Sequence, residues 1–345
     1  MKQILPFLLL IAFCNCQPEE TQTWIITPYP NTVAIEPGGF DFDQGINFET
    51  SEPTLEGVVS FFQKKMEEIG ISADPESGKK IHLELVKEGE KSPEAYKLDI
   101  NKNNIKLTAS HPKGIFYGMM TLWQQLKHSG NKSVPCGVVE DAPRYAHRGF
   151  MLDESRHFFG KKKVKQLIDL MSVLKLNTFH WHLTDSPGWR VEIKAYPKLT
   201  IIGGIGNHTN PEAPARFYTQ EDIKEIVAFA AERQVEIIPE IDMPGHATAA
   251  NRAYPEFSGG GSEKHPEFTF DPGKEATYQY LTTILKEVAS LFPSQYIHLG
   301  GDEVHFGNEK WKTIDSIKAL DPYFRNTPQT KYYMKNNMHF NPIGF

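Results

Sequence analysis

The sequence has very few cysteines: three among 345 residues. Cys14 and Cys16 lie at the end of an apolar N-terminal segment, which leaves Cys136 as the single thiol of the remaining chain. One thiol cannot form an internal disulfide bond. The scarcity of cysteine therefore excludes a disulfide-stabilised scaffold.

The chain also lacks a cluster of basic residues. Its 37 lysines and arginines are outnumbered by 43 aspartates and glutamates, and the formal net charge is -6 at pH 7. Nucleic-acid binding depends on basic residues that contact phosphates, so we expect no nucleic-acid partner. A GxGxxG motif is equally absent after the first predicted strand of the α/β region, which argues against a dinucleotide fold. We expect no cofactor.

No apolar run in the sequence is long enough to span a membrane. The apolar run at residues 4–13 follows Met1 and Lys2, which is the pattern of a secretory signal peptide. We expect residues 1–17 to be this signal and the protein to be exported, either secreted or retained in the periplasm. A cysteine directly after the run also suggests an outer-membrane lipoprotein, with a lipid anchor as the alternative to simple secretion.

Residues 22–142 are predicted to form a small α+β domain. Apolar residues recur at helical spacing over residues 55–66, and Asn103–Asn104 is a credible hairpin turn between two alternating strands. Residues 111–126, HPKGIFYGMMTLWQQL, form an amphipathic helix. The segment contains no cluster of catalytic residue types, so an accessory structural role is favoured.

Beyond a predicted linker at residues 135–143, the rhythm of the sequence changes. Apolar strand-like runs alternate with amphipathic helices, which is the signature of successive βα units. The predicted strands cover residues 150–152, 177–183, 235–241 and 296–299. Both a doubly wound sheet and a (β/α)8 barrel fit this order, so residues 143–345 are predicted to form an α/β domain.

The length of this region limits the barrel interpretation. A complete barrel needs about 250 residues, whereas Arg148 to Phe345 supplies roughly 200 residues and about four βα units. If the domain is a barrel, we expect it to be truncated after about four βα units.

Ionisable residues collect at all four predicted strands. They are Arg148, Asp153, Arg156 and His157 on the first, His180, His182 and Asp185 on the second, Glu240, Asp242 and His246 on the third, and His298, Asp302 and Glu303 on the fourth. Random surface charge would not gather repeatedly at the carboxyl ends of parallel strands, where barrel enzymes place their catalytic residues. The pattern predicts one functional site.

Residues 296–303, YIHLGGDE, carry the sharpest signal of this kind. Strict strand alternation would send Asp302 and Glu303 to opposite faces. Gly300 and Gly301 have no Cβ, so the backbone can bend there and bring both carboxylates towards one pocket. The structural alternative is a helix N-terminus, where Asp and Glu are common.

Two chemistries fit these residues. His180, His182 and His246 with a carboxylate could bind a metal, as in metal-dependent barrel hydrolases. Alternatively, the carboxylates could perform acid–base catalysis on a glycosidic bond. The metal site is the weaker hypothesis, because His180 lies inside a strand, where a buried imidazole bonded to a neighbour is the commoner fate. We therefore predict no metal.

Five motifs resemble successive signatures of the β-N-acetylhexosaminidases of glycoside hydrolase family 20. They are HPKGIFYGMMTLWQQL, YAHRGFMLDESRHFF, NTFHWHLTDSPGWR, YTQEDIKEIVAFAAERQVEIIPEIDMPGH and IHLGGDE. They stand in the family's order, and the resemblance covers about residues 25–311. It implies a (β/α)8-type catalytic barrel preceded by a small α+β domain. The implied partner is a glycan that ends in β-linked N-acetylglucosamine or N-acetylgalactosamine.

The resemblance also implies roles for individual residues. The family uses a substrate-assisted retaining mechanism, in which the sugar's own 2-acetamido oxygen is the nucleophile. Glu303 would protonate the leaving oxygen and later activate water, and Asp302 would orient the acetamido group. Arg148 would hold sugar hydroxyls. The other pocket residues implied are Asp185, Asp242 and His246.

Two features of that family have no match in the sequence. Its later strands carry a tyrosine that bonds the acetamido oxygen and tryptophans that wall the sugar, but Trp311 is the last tryptophan here. An open half-barrel would expose an apolar edge and leave the pocket unwalled. We therefore expect a poorly stable, weakly active or inactive chain. A truncated, non-catalytic or sugar-binding remnant is the alternative to an active enzyme.

Overall fold

The computed structural model describes residues 23–87, 92–130, 133–304, 309–312 and 315. The predicted signal peptide at residues 1–17 and the segment that follows residue 315 lie outside these ranges. Within them, no helix is both long and apolar enough to cross a membrane.

The first unit is a six-stranded sheet with two helices. Its elements are β1 (Thr32–Asp41), β2 (Asn47–Glu49), α1 (Glu56–Glu67), β3 (Lys80–Leu85), β4 (Tyr96–Ile100), β5 (Asn104–Ala109), α2 (Pro112–His128) and β6 (Ser133–Asp141). The strand order is β1-β6-β4-β5-β3-β2, in which β3 runs parallel to β2 and β5. The predicted α+β architecture is confirmed, and the hairpin between β4 and β5 turns at the predicted asparagines.

The predicted linker at residues 135–143 is wrong for most of its length. β6 pairs with both β1 and β4 in the body of the sheet. Pro135 lies opposite Gly39 of β1. The pairing of β1 with β6 is irregular there, because the register shifts over the segment from Ile35 to Gly39. A proline is compatible with a strand at such an irregularity, because its missing N–H interrupts no regular ladder.

Helix α2 packs directly on the sheet because two of its residues have no side chain. A Cβ at Gly114 would lie 2.2 Å from the backbone oxygen of Ala95, and a Cβ at Gly118 would lie 2.4 Å from Cδ1 of Leu107. This close approach buries one whole face of the helix. The residues buried there include Ile115, Phe116, Met119, Leu122 and Leu126.

The second unit alternates strands and helices. Its elements are β7 (Gly149–Asp153), α3 (Lys161–Val173), β8 (Thr178–Asp185), β9 (Gly188–Trp189), α4 (Lys198–Ile201), α5 (Gln220–Ala231), β10 (Glu236–Ile241), α6 (Thr248–Ala253), β11 (Ser258–Gly260), β12 (Thr269–Phe270) and α7 (Glu275–Leu291). A short 3-10 helix, Glu309–Lys312, follows.

Strands β7, β8 and β10 form a parallel sheet in the order β10-β8-β7. In β8 the side chains of Phe179, Trp181 and Leu183 are fully buried on one face, and His182 and Thr184 are buried on the other, as expected for a central parallel strand covered on both faces. The predicted capping box begins α5: Thr219 accepts from the N–H of Asp222, and the Asp222 carboxylate accepts from the N–H of Thr219. The predicted βα alternation is confirmed.

The fourth predicted strand is shorter than expected. Its one bridge among the described residues is a parallel bridge between Glu240 and His298, supported by a 2.9 Å hydrogen bond from the His298 N–H to the Pro239 oxygen. Gly300 and Gly301 then take φ values of 64° and 92°. These values lie outside extended backbone, so the strand ends there.

Arg148 connects the two units instead of contacting the predicted site. Its guanidinium donates to Glu94 of the first unit at 2.5 Å and to the backbone oxygens of Lys175 and Tyr145 at 2.8 Å each. It precedes β7 at the amino end of the parallel sheet, whereas Asp185 ends the eight-residue β8. At about 3.3 Å per residue, roughly 23 Å of strand separates these two ends. The prediction that Arg148 holds sugar hydroxyls is therefore wrong.

Substitution of Gly114 by alanine tests the packing of α2. Alanine favours helix, but its Cβ would meet the rigid backbone oxygen of Ala95. We expect Gly114→Ala to lower the free energy of unfolding by about 1–3 kcal/mol, measured by urea denaturation.

Gly57→Ala is the matched control, because Gly57 lies in the first turn of α1 and a Cβ there meets nothing within 4 Å. This variant should be neutral or more stable by about 0.4–1 kcal/mol. Equal effects of the two substitutions would contradict the packing account.

Candidate active site

Five of the six predicted site residues lie together at the carboxyl end of the parallel sheet. Asp185 is the last residue of β8, Asp242 directly follows β10, and His246 lies in the next loop. Asp302 and Glu303 follow the segment that bridges to β10. The site is therefore built by three neighbouring strand ends, as the parallel topology requires.

His246 is the residue that all the others face. Its Nδ1 lies 3.0 Å from Oδ1 of Asp185, and its Nε2 lies 3.4 Å from both Oδ2 of Asp302 and Oε2 of Glu303. The imidazole is 6% exposed, and Phe268 packs against it with ring centroids 4.7 Å apart. One ring therefore connects a buried carboxylate to the two adjacent acids at the surface.

The electrostatics of the site favour a charged His246. Burial lowers its pKa, but the hydrogen bond and charge of Asp185 and the charges of Asp242 and Asp302 outweigh burial and raise the pKa to about 9. Asp185 is 2% exposed and forms a second ion pair with Arg156. The imidazolium attracts the carboxylates that face its outer nitrogen.

Asp242 lies beneath the two acids and is 2% exposed. Burial and the charge of Asp302 raise its pKa to about 8, so this carboxyl group keeps its proton at neutral pH. Its Oδ1 accepts a 3.3 Å hydrogen bond from the N–H of Gly301, while its own N–H donates to Oγ1 of Thr184 at 2.9 Å. Asp242 therefore anchors the backbone bend through its hydrogen bond with Gly301.

The bend itself requires glycine. A Cβ at Gly300 would lie 1.8 Å from Oδ1 of Asp242, and the φ of 64° is unfavourable for other residues. Glu303 also has a positive φ of 49°, which is uncommon for a residue with a side chain. This geometry directs Asp302 and Glu303 to the same imidazole and leaves their side chains 43% and 40% exposed.

Arg156, not Arg148, is the arginine of this site. Its Nη1 donates to the carboxylate of Asp153 at 2.9 Å and forms an ion pair with the buried carboxylate of Asp185. Both arginines belong to the same motif. Arg148 precedes β7 and Arg156 follows it, so the two residues lie at opposite ends of the sheet. The position of Arg156 after the strand was the available signal.

Sequence reasoning also missed the use of Glu240. This residue is 5% exposed, and its carboxylate lies between two imidazoles, 2.6 Å from Nε2 of His180 and 3.0 Å from Nδ1 of His298. Nδ1 of His182 lies 3.7 Å from the same carboxylate. Two of the three candidate metal ligands, His180 and His182, therefore lie beside an acid instead.

The predicted alternative metal set does not assemble. His180 contacts Glu240 and His298, whereas His246 contacts Asp185 and the acids of the bend, so these two histidines belong to different groups. Donor atoms do lie within 4.8 Å of one another in three sets: His180, Glu240 and His298; His182, Asp185 and Asp242; and Asp242, His246 and Asp302. The 2.6 Å contact in the first set is a hydrogen bond, shorter than the roughly 3.3 Å between ligands on a tetrahedral zinc ion.

Histidine and carboxylates are the residue types of general acid–base catalysis, and β/α-barrel enzymes place their catalytic residues at the carboxyl end of the parallel sheet. Comparison with protein families is more specific. Residues 145–339 match the catalytic domain of glycosyl hydrolase family 20, and residues 23–142 match domain 2 of that family. The chain belongs to glycosyl hydrolase family 20.

Curated proteins similar to this chain are named beta-hexosaminidases. The chain is 42% identical over 244 residues to a beta-hexosaminidase of Vibrio furnissii, a match that covers 66% of this chain and 40% of the relative. It is 34% identical over 317 residues to a beta-hexosaminidase of Porphyromonas gingivalis, covering 86% of this chain and 40% of the relative. The chain thus spans less than half the length of these relatives.

Solved structures confirm the fold. The exo-β-N-acetylglucosaminidase of Vibrio harveyi, solved in complex with N-acetylglucosamine, matches with a TM-score of 0.77 and 32% identity over 89% of this chain and 50% of that one. The β-N-acetylhexosaminidase of Bacteroides fragilis matches with a TM-score of 0.75 and 31% identity over 92% and 64% of the two chains. The predicted barrel-type fold behind a small α+β domain is confirmed.

The raised pKa values of His246 and Asp242 predict a pH-dependent stability. Both groups bind protons more tightly in the folded protein than in the unfolded chain, so stability is lost as pH rises through their folded pKa values. The stability contributed by the protonated His246 is lost between pH 6.5 and about pH 9. The contribution of the protonated Asp242 is lost as the pH rises to about 8. We expect the Tm measured by calorimetry to fall between pH 6.5 and 9.

His246→Gln provides the control for this titration. Glutamine cannot be protonated in this range, so the larger part of the fall in Tm should disappear in the variant. A Tm that rises over the same range in the wild type would contradict the assigned charges.

Proposed function

We propose that this chain carries the acid–base centre of a β-N-acetylhexosaminidase, which hydrolyses terminal non-reducing N-acetyl-D-hexosamine from β-linked glycans. One observation carries the proposal. The adjacent carboxylates of Asp302 and Glu303 both face Nε2 of His246, whose other nitrogen is held by the buried Asp185. Membership of a family with a substrate-assisted mechanism supports it.

The first step uses Glu303 as the acid. Its proton passes to the glycosidic oxygen as the bond from that oxygen to the anomeric carbon breaks. The carbonyl oxygen of the 2-acetamido group attacks the anomeric carbon and forms a cyclic oxazolinium-type intermediate. Asp302 accepts a hydrogen bond from the acetamido N–H and stabilises the positive charge that develops on this group.

The second step reverses the roles. Water attacks the anomeric carbon, the ionised Glu303 takes one proton from it, and the acetamido group is released in its original form. Two displacements at one carbon leave its configuration unchanged, so the reaction retains the β-anomer. The charged His246 lies beside Glu303 and attracts its carboxylate between the two steps, when the residue has lost its proton.

The two adjacent acids should be separable by substitution. Glu303→Gln removes the transferable proton, and we expect kcat for a chromogenic N-acetyl-β-glucosaminide to fall by about 100- to 10,000-fold. Asp302→Asn should lower kcat to a comparable extent, because the acetamido nucleophile loses its oriented acceptor.

Glu212→Gln, at an exposed position outside the five motifs, is the control and should retain full activity. A chelator should leave turnover unchanged, and turnover abolished by chelator would favour the metal-dependent hydrolase. A folded wild-type chain that binds N-acetylglucosamine without turnover would favour the sugar-binding remnant instead.

A pair of arginine substitutions tests which guanidinium contacts substrate. Arg156→Lys keeps the charge beside Asp185 but loses the planar fork, and we expect KM to rise about tenfold. Arg148→Lys should leave KM unchanged and lower the free energy of unfolding by about 1–3 kcal/mol, because Arg148 bonds the two units together. A rise in KM for Arg148→Lys alone would restore the original prediction.

We also propose that the chain is exported, on the strength of the apolar run at residues 4–13. Cys14 and Cys16 make a lipid anchor the specific form of this proposal. Fractionation of cells that express the full chain, with and without cysteine substitution at both positions, tests it; cytoplasmic accumulation of the wild type would contradict it.

A further inference from the structure

The Glu240 cluster lies outside the acid–base mechanism but contacts the strand that delivers both acids. It consists of Glu240, His180 and His298, with the two imidazole rings 4.7 Å apart. His298 stands four residues before Asp302 and is joined to β10 by its bridge to Glu240. A change in the protonation of the His298 ring therefore acts on the Gly300–Gly301 bend only two residues away.

One nitrogen of His298 has two competing partners. Its Nδ1 lies 3.0 Å from Oε1 of Glu240, and the N–H of Gly300 points to the same nitrogen at 3.1 Å. If Nδ1 carries a proton, it donates to Glu240 and cannot accept from the N–H of Gly300. If Nδ1 is bare, it accepts from Gly300 and turns a lone pair towards a carboxylate. The two contacts exclude each other.

The charge of Glu240 decides between these states. Burial alone raises the pKa of this carboxyl group, but hydrogen bonds from His180 and His298 outweigh burial and hold the pKa far below its usual range. In return, the hydrogen bond to Glu240 raises the pKa of His298. An ionised Glu240 keeps the proton on Nδ1 of His298 and leaves the N–H of Gly300 without that acceptor.

The bend then has a different anchor. Gly301 donates to Oδ1 of Asp242 at 3.3 Å, and this contact lies one residue closer to the acids. If the imidazole also bound the N–H of Gly300, the turn would be held from two sides. Because reacting groups must be placed to within a fraction of an ångström, such a shift matters for Asp302 and Glu303.

We propose that Glu240 is a positioning residue, which fixes the Nδ1–H form of His298 and thereby sets the Gly300–Gly301 bend that aims Asp302 and Glu303. This inference rests on the proposed function for its catalytic consequence, but its structural part is independent of turnover.

Glu240→Gln in the full chain is the test. The amide cannot hold a proton on Nδ1 by charge, so ring ¹⁵N NMR should show His298 move from the Nδ1–H to the Nε2–H tautomer. The amide signal of Gly300 should shift with it. The kcat for the chromogenic N-acetyl-β-glucosaminide should fall roughly 10- to 100-fold with little change in KM, since substrate contacts are kept.

Glu49→Gln is the matched control, because Glu49 also bonds a histidine, His82, at 2.9 Å, but in the first unit. It should change neither kcat nor the His298 signals. A Glu240→Gln variant that keeps the Nδ1–H tautomer, or that changes it while kcat stays at the wild-type level, overturns the proposal.

Two further outcomes remain decisive. If the wild type has no turnover, the proposed function fails, and the inference is judged on the tautomer of His298 and the Gly300 amide alone. If Glu240→Gln does not fold, the ¹⁵N spectrum of the wild type decides. A His298 ring that is protonated on Nδ1 supports the proposal, and a ring that is protonated only on Nε2 overturns it.

Discussion

The contact between Asp185 and His246 is the interaction on which the site depends. A buried carboxylate is costly unless it is paired, and Asp185 is paired on one side with His246 and on the other with Arg156. The pairing keeps the imidazole charged and fixes its orientation. Only then does its outer nitrogen face Asp302 and Glu303. Loss of Asp185 would leave two cations without their common partner.

A second constraint is steric and comes from glycine. The carboxyl group of Asp242 occupies the space where any side chain at Gly300 would lie, and it accepts a hydrogen bond from Gly301. The backbone therefore bends sharply immediately before the two acids. In a regular strand these acids would face opposite sides of the sheet, so the dipeptide of glycines is part of the catalytic arrangement.

Much of this structure can be predicted from sequence because its signals are local. The βα alternation, the capping box at Thr219 and the strand-end position of Asp185 each depend on neighbouring residues. The failures concern contacts made through space. The partners of Arg148 and Glu240 come from other elements, and sequence spacing does not show which end of a sheet a residue reaches. The strand at Pro135 was hidden because the register shift that accommodates the proline arises from pairing with β1, an element distant in sequence.

Asp185 holds His246 as a charged ring between buried and exposed acids. An NMR titration of the His246 imidazole in the wild type and in Asp185→Asn tests it most directly. We expect a midpoint near pH 9 in the wild type and a clearly lower one in the variant. A midpoint near the ordinary histidine value of about 6.5 in both proteins would contradict it.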